Sequence, residues 1–498
     1  MITLHAIRAS SKALAIFTAI FASTAAMAPV QAKDEAPQKP NVIVIITDDQ
    51  GYRDVGFNGS TEIPTPNIDR IAKEGVRFTR GYVTFPVCGP SRAGLLTGRH
   101  QSRFGFDRNP NADPSDPRGG LPRSEEMISE MLQRAGYYSK VIGKWHMGTH
   151  TSLRPLNRGF NEFYGFLEGG HDYFPENTEF EDILDSKKPY DWYRTKLVDN
   201  GKRVDFTQYL TDELSDRATE FVRRRAPQEQ PFFLYLAYNA PHSPLQATEK
   251  YLSRFSHIAD PKRRTYAAMI SAVDDGVGKL LDELDRSGEA DNTLVFFLSD
   301  NGGVVTGETG ETPIADNSPL RGGKSQLFEG GVRVPFAMRW PARIKGGKDY
   351  TRPISSMDIV GTITSQIGLD IRPDRPLDGV DLIPYLIGEK SGDPQPVLFW
   401  RKFDAGQHAM VVGDLKYFYN GQYRVMFNLR TDTGEKSNIG PANKDNMEQL
   451  ERLYQMWNAQ MAAKPAFPPL GTWPKKGGKA QGADRPDARQ DAGKEGAR

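Results

Sequence analysis

Short apolar runs alternate along this chain with longer amphipathic stretches. "NVIVIIT" (41–47), "PFFLYLA" (231–237) and "TLVFFLS" (293–299) are continuous and rich in β-branched and aromatic residues, as expected of strands buried on both faces. "SEEMISEMLQRAG" and "YAAMISAVDDGVGKLLDELDRSG" instead repeat their apolar residues at helical spacing. This alternation predicts an α/β fold with a largely parallel sheet. Beyond residue 384 the pattern changes. "MVVGDLKYFY" and "YRVMFNLRTDTGE" alternate in the manner of a small antiparallel sheet. No internal repeat is visible.

The strand-like runs end in chemistry. The first delivers Asp48 and Asp49, the run at 293–299 delivers Asp300 and Asn301, "PFFLYLAYNAPHSP" delivers His242, and the shorter "YSKVIGKWHMG" delivers Lys144 and His146. Each piece alone reads as a turn, a cap or a solvated loop residue. Four such ends together predict one site, because ligands of open α/β sheets bind beyond the C-terminal ends of the strands.

Composition narrows the classes. The chain has 498 residues, a formal net charge of +1 and one cysteine. Near-neutrality gives no field for nucleic acid or an anionic membrane, so an anionic ligand must be held by local charge. The N-terminus carries basic residues, an apolar run from Ala13 to Ala28 and a small-x-small pattern ending at Ala32. That order is expected of a signal peptide over 1–32, and the run falls short of the roughly 20 residues of a membrane helix. The expectation is an exported protein, periplasmic or secreted, without a membrane span or disulfides. Residues 475–498 lack a large apolar side chain and are expected to form a disordered tail.

The lone Cys88 stands in "TFPVCGPSRAGLLTGRH". It has no partner for a disulfide and no soft co-ligands for a metal. Pro90 and the helical character of "SRAGLLTG", closed by Gly98, place it at a helix N-terminus with Arg92 one turn on. A small buried thiol at a helix start is the plain alternative.

"CGPSRAGLLTGR" resembles the C-x-P-S-R signature of the type I sulfatases, members of the alkaline phosphatase superfamily. "NVIVIITDDQGYRDVG", "GKWHMG", "RGFNEFYGF", "NAPHSP", "FFLSDNGG", "LRGGKSQLFEGGVRVP" and "LDGVDLIPYL" follow in family order, from Asn41 to about Asn438. Gly89 departs from the usual Thr, Ser or Ala. The resemblance implies a large central mixed, mostly parallel sheet flanked by helices, in a catalytic domain over 40–383, and a smaller α+β subdomain over 384–470. It implies that a formylglycine-generating or sulfatase-maturing enzyme oxidises Cys88 to Cα-formylglycine. It further implies that Asp48, Asp49, Asp300, Asn301 and the modified Cys88 bind Ca²⁺, that Arg92, Lys144 and Lys324 neutralise the sulfate, and that His146 and His242 move protons.

The function implied is sulfate ester hydrolysis. A phosphonate monoester or phosphodiester hydrolase and a non-catalytic receptor for sulfated glycans are the alternatives. The expected partner is a sulfated carbohydrate, with algal polysaccharide favoured over glycosaminoglycan. "GFDRNPNADPSDPRGG" and "LEGGHDYFPENTEF" are the loops expected to read the sugar, with Arg108 and His171 as candidate contacts.

Overall fold

The computed structural model describes residues 39–188, 190–305 and 314–469, so the expected signal peptide and the tail lie outside the described residues. The described residues, from Lys39 onward, form one compact unit. Five parallel strands make its centre, in the order Thr293–Ser299, Asn41–Thr47, Phe232–Ala237, Tyr138–Lys144 and Glu162–Phe166. Shorter strands extend both edges to ten, and antiparallel pairs such as Phe336–Arg339 against Thr293–Ser299 make the sheet mixed. The expected mostly parallel sheet is therefore present.

Its apolar runs are buried on both faces. Val42, Val44 and Ile46 face one core with Leu95, Leu96, Ile359 and Val360, while Ile43 and Ile45 face a second core with Leu214, Phe221, Val273 and Leu280. Fully burying each such side chain contributes about 1.5–3 kcal/mol, which is why continuous apolar runs occupy this position. The long helix Pro261–Ser287 packs on the second face, capped by the Asp260 carboxylate at its start and by Gly288 in the left-handed region at its end.

The small sheet runs Val397–Lys402, Gln407–Val412, Leu415–Tyr419 and Arg424–Asn428, all antiparallel. One face packs through Leu398, Trp400 and Phe418 onto Tyr82, Leu327 and Val332 of the large unit. The other is covered by Leu450, Tyr454 and Trp457 of the helix Lys444–Asn458. Ile383 and Leu386 still belong to the main core. Among the described residues, no helix is long and apolar enough to cross a membrane.

Candidate active site

Register brings the site together. Thr47 pairs with Ser299, so the residues that follow, Asp48 and Asp300, leave the sheet side by side. Ala237 pairs with both Ile46 and Gly143, so Lys144 emerges on the same edge. Cys88 opens the helix Cys88–Thr97, which ends at Gly98 with φ 63°, as the sequence predicts. Its Sγ lies 3.2 Å from Asp48 Oδ1.

Around Cys88 the three carboxylates each meet a cation. Asp48 pairs with Lys144, Asp49 Oδ2 accepts from Lys324 Nζ at 2.7 Å, and Asp300 Oδ2 accepts from Arg92 Nε at 2.9 Å, with Arg92 Nη2 at ion-pair distance, 2.8 Å. Asn301 Nδ2 donates to Asp49 Oδ1 at 2.8 Å. Asp49 and His146 hold left-handed backbone angles, φ 64° and 58°, which non-glycine residues adopt at a cost of order 1 kcal/mol and which recur at functional sites.

Burial alone would raise Asp48, but Lys144, His242 and Arg92 outweigh it and hold its carboxylate far below the usual range. Asp300 goes the other way, pushed up to about 7 by burial and by the Asp48 charge, against the pull of Arg92. Burial, Asp300 and Asp48 push the Cys88 thiol well up. A protonated, enclosed thiol is a poor nucleophile. Burial, reinforced by Lys144 and Arg92, keeps His146 neutral, and burial also lowers His242 against the pull of Asp48 and Asp49. Lys324 is held charged: burial opposes its charge, but Asp49 and the other neighbouring acids prevail.

Two observations bear on a cation. Asp48, Asp49, Cys88 and His242 offer ligand atoms within 4.8 Å of one another. Asn301 Oδ1 is buried with no hydrogen-bond partner. Repelling carboxylates and an unsatisfied amide oxygen form a hard-oxygen set that fits Ca²⁺. His242, assigned from the sequence to proton transfer, also enters this cluster. Its Nδ1 lies 2.7 Å from the Ser243 carbonyl and so carries the donated proton, leaving Nε2 3.6 Å from Asp49.

Cys88, His146, His242 and Lys324 form the floor of a cavity of about 750 Å³. One wall is Asn109–Ala112, within a loop the sequence singled out. Asn109 Oδ1 accepts from the Gly89 amide at 2.9 Å, and a Cβ at Gly89 would come within 2.8 Å of that oxygen. Glycine at this variant position therefore makes room for Asn109.

The two candidate sugar contacts are corrected. Arg108 is spent on the Asp404 carboxylate and the Phe467 carbonyl, 2.8 Å away, so it ties its loop to the C-terminal region. His171 is buried, with its ring nitrogens each 2.7 Å from the Asp172 and Thr195 carbonyls. Neither lines the cavity. Another part of the wall comes from Ser186, Lys187, Lys188, Tyr190, Trp192 and Tyr193, which the sequence did not single out. Its one signal is the clustering of lysines and aromatics in "KKPYDWY".

Comparison with known proteins agrees with this geometry. The sulfatase family model matches residues 40–369. Mouse N-acetylgalactosamine-6-sulfatase is 36% identical over 383 residues, covering 74% of this chain and 69% of that protein. The human N-acetylgalactosamine-6-sulfatase is 32% identical, covering 87% and 88%. Among solved structures, Ps i-CgsB in complex with k-i-k-neocarrahexaose superposes with a TM-score of 0.80 at 39% identity, covering 85% of this chain and 94% of that one. The chain belongs to the sulfatase family, in the alkaline phosphatase-like superfamily, and is a sulfuric ester hydrolase.

Proposed function

We propose that this enzyme removes sulfate from a sulfated polysaccharide or its oligosaccharides, using Cα-formylglycine made from Cys88 together with Ca²⁺. The observation that carries this reading is that Cys88, on the floor of the cavity with Lys324, meets a buried cluster of Lys144, Arg92 and the oxygen set of Asp48, Asp49, Asp300 and Asn301. When present, the hydrated aldehyde supplies a nucleophilic oxygen with a second hydroxyl on the same carbon, and Ca²⁺ supplies positive charge at the sulfuryl oxygens.

The chain's own residues do the rest. Lys144, Lys324 and Arg92 neutralise a sulfate as charge grows on its oxygens; being fixed before reaction, they need no reorganisation. His146 is neutral and its Nδ1 has no partner, so it is poised to take a proton from a hydroxyl at residue 88. His242 and Lys324 line the cavity, where the departing sugar oxygen needs a proton, and of the two the charged Lys324 ammonium holds one to give.

A carbohydrate substrate is supported by the relatives' names and by the size and aromatic wall of the cavity. The algal type is favoured by the 39% identity to a protein solved with neocarrahexaose. A glycosaminoglycan is the second reading, favoured by the relatives that are N-acetylgalactosamine-6-sulfatases. Comparing p-nitrophenyl sulfate with bis(p-nitrophenyl) phosphate tests the reaction class. Sulfate release is expected at much the higher kcat/KM; preference for the phosphate diester would refute the reading.

A further inference from the structure

The lysine-bearing part of the cavity wall has chemistry that removal of one sulfate does not use. Lys187, Lys188, Tyr190, Trp192 and Tyr193 all line the cavity, and among the described residues no Asp or Glu does. The segment is pinned from behind. Asp191 Oδ2 accepts from the amides of Lys187 and Lys188 at 2.9 and 2.8 Å, and Asp191 Oδ1 lies 3.2 Å from Arg194. Both lysine side chains are exposed, and among the described residues neither ammonium has a carboxylate within ion-pair distance, whereas Lys196 and Lys279 do.

The aromatics sit beside them. Ring centroids of Tyr190 and Trp192 are 5.6 Å apart, and those of Tyr190 and Tyr193 also 5.6 Å. Tyr190 is 65% exposed. Tyr193 reaches inward over Gly170, where a Cβ would come within 2.5 Å of its ring. Aromatic rings offer flat apolar area with a polar tip, which suits the C–H face of a sugar. A cavity of about 750 Å³ is in the upper part of the range for pockets that bury drug-sized ligands, with room for more than one sugar ring.

We propose that this wall is a second subsite. It receives the sugar next to the one bearing the scissile sulfate, against Tyr190 and Trp192, and Lys187 and Lys188 grip an anionic substituent on that sugar. Two ammonium groups with no carboxylate partner among the described residues give this wall a local positive charge that draws in an anion. The substrate class is thus an oligosaccharide with anionic groups on consecutive sugars. This inference rests on the sulfatase reading above. The anion is a sulfate or a uronate carboxylate, which share the same recognition chemistry.

The test measures kcat/KM for the wild type, Lys187→Ala/Lys188→Ala and Tyr190→Ala. The substrates are p-nitrophenyl sulfate, an oligosaccharide with one sulfate, the same with a second sulfate on the next sugar, and its counterpart with a uronate there. The double lysine variant is expected to lose roughly tenfold more on the second-anion substrates than on the singly sulfated one, the scale of two partly exposed ion pairs. That excess should shrink as salt rises. The arm with the larger excess identifies sulfate or carboxylate. Tyr190→Ala should lose on every oligosaccharide relative to the aryl ester. Equal losses on all substrates, or a wild type indifferent to the second anion, would overturn the subsite while leaving the sulfatase reading intact. A wild type that hydrolyses no sulfate ester would overturn both.

Discussion

Lys402, at the end of the first strand of the small sheet, donates to the carbonyl of Ser325, 2.6 Å away. Ser325 holds φ 70° and its own amide donates to the Pro86 carbonyl at 2.8 Å. The residue before it is Lys324, whose ammonium meets Asp49. The small sheet therefore holds the backbone that presents the Lys324 ammonium to the cavity. Lys402→Met is expected to cost about 1 kcal/mol of positioning, about fivefold in kcat/KM on an aryl sulfate. An unchanged kcat/KM would show that the loop keeps its place without this bond.

A buried cluster reinforces the same seam. Lys416 Nζ lies 3.0 Å from both Glu329 and Glu435, and Glu435 accepts the Glu329 amide at 2.7 Å. Burial and the Glu329 charge push Glu435 up to about 7, against the pull of Lys416. The folded state thus holds this proton more tightly than the unfolded chain. Stability is complete below the ordinary carboxyl range and declines as pH rises from about 4.5 to about 7. Thermal midpoints across that window should slope downward in the wild type and less so in Glu435→Gln. Parallel slopes would contradict the assignment. Lys416→Met, which leaves two buried carboxylates without their shared cation, should destabilise by about 3–5 kcal/mol.

Asp300→Ala removes one of three carboxylates and strands the buried guanidinium of Arg92. Bound Ca²⁺, measured by metal analysis after dialysis, and activity should disappear together. Normal turnover by a metal-free variant would refute the ligand set.

His171→Ala removes a neutral ring whose single N–H serves one of two buried carbonyls, and that carbonyl then lacks its donor. The expected loss is about 1–3 kcal/mol of stability, with kcat/KM changing alike on aryl sulfate and oligosaccharide. A selective loss on the oligosaccharide would return His171 to sugar recognition.

Asp48, Asp300 and Lys144 were legible together because they end or directly follow apolar strands, so their side-by-side placement comes from the parallel register alone. Cys88 and Arg92 were legible from helix punctuation at Pro90 and Gly98. The recognition wall was not. Lys187–Tyr193 has no periodicity, and a polar loop between elements gives no sign of which way it folds. Arg108 and His171 failed for a related reason. Asp404, 296 positions beyond Arg108, and the Thr195 carbonyl near His171 claim those side chains through tertiary contacts. The Lys402–Ser325 bond was equally hidden, since it joins a strand of the small sheet to a turn 77 positions away.

The central claim is that turnover depends on converting Cys88. The direct measurement is the fraction of Cys88 carried as aldehyde, read by mass spectrometry of its peptide, against kcat for p-nitrophenyl sulfate in preparations matured to different extents. The expected result is a line through the origin, with Cys88→Ala inactive and folded. Full turnover by protein whose Cys88 is entirely thiol would contradict it.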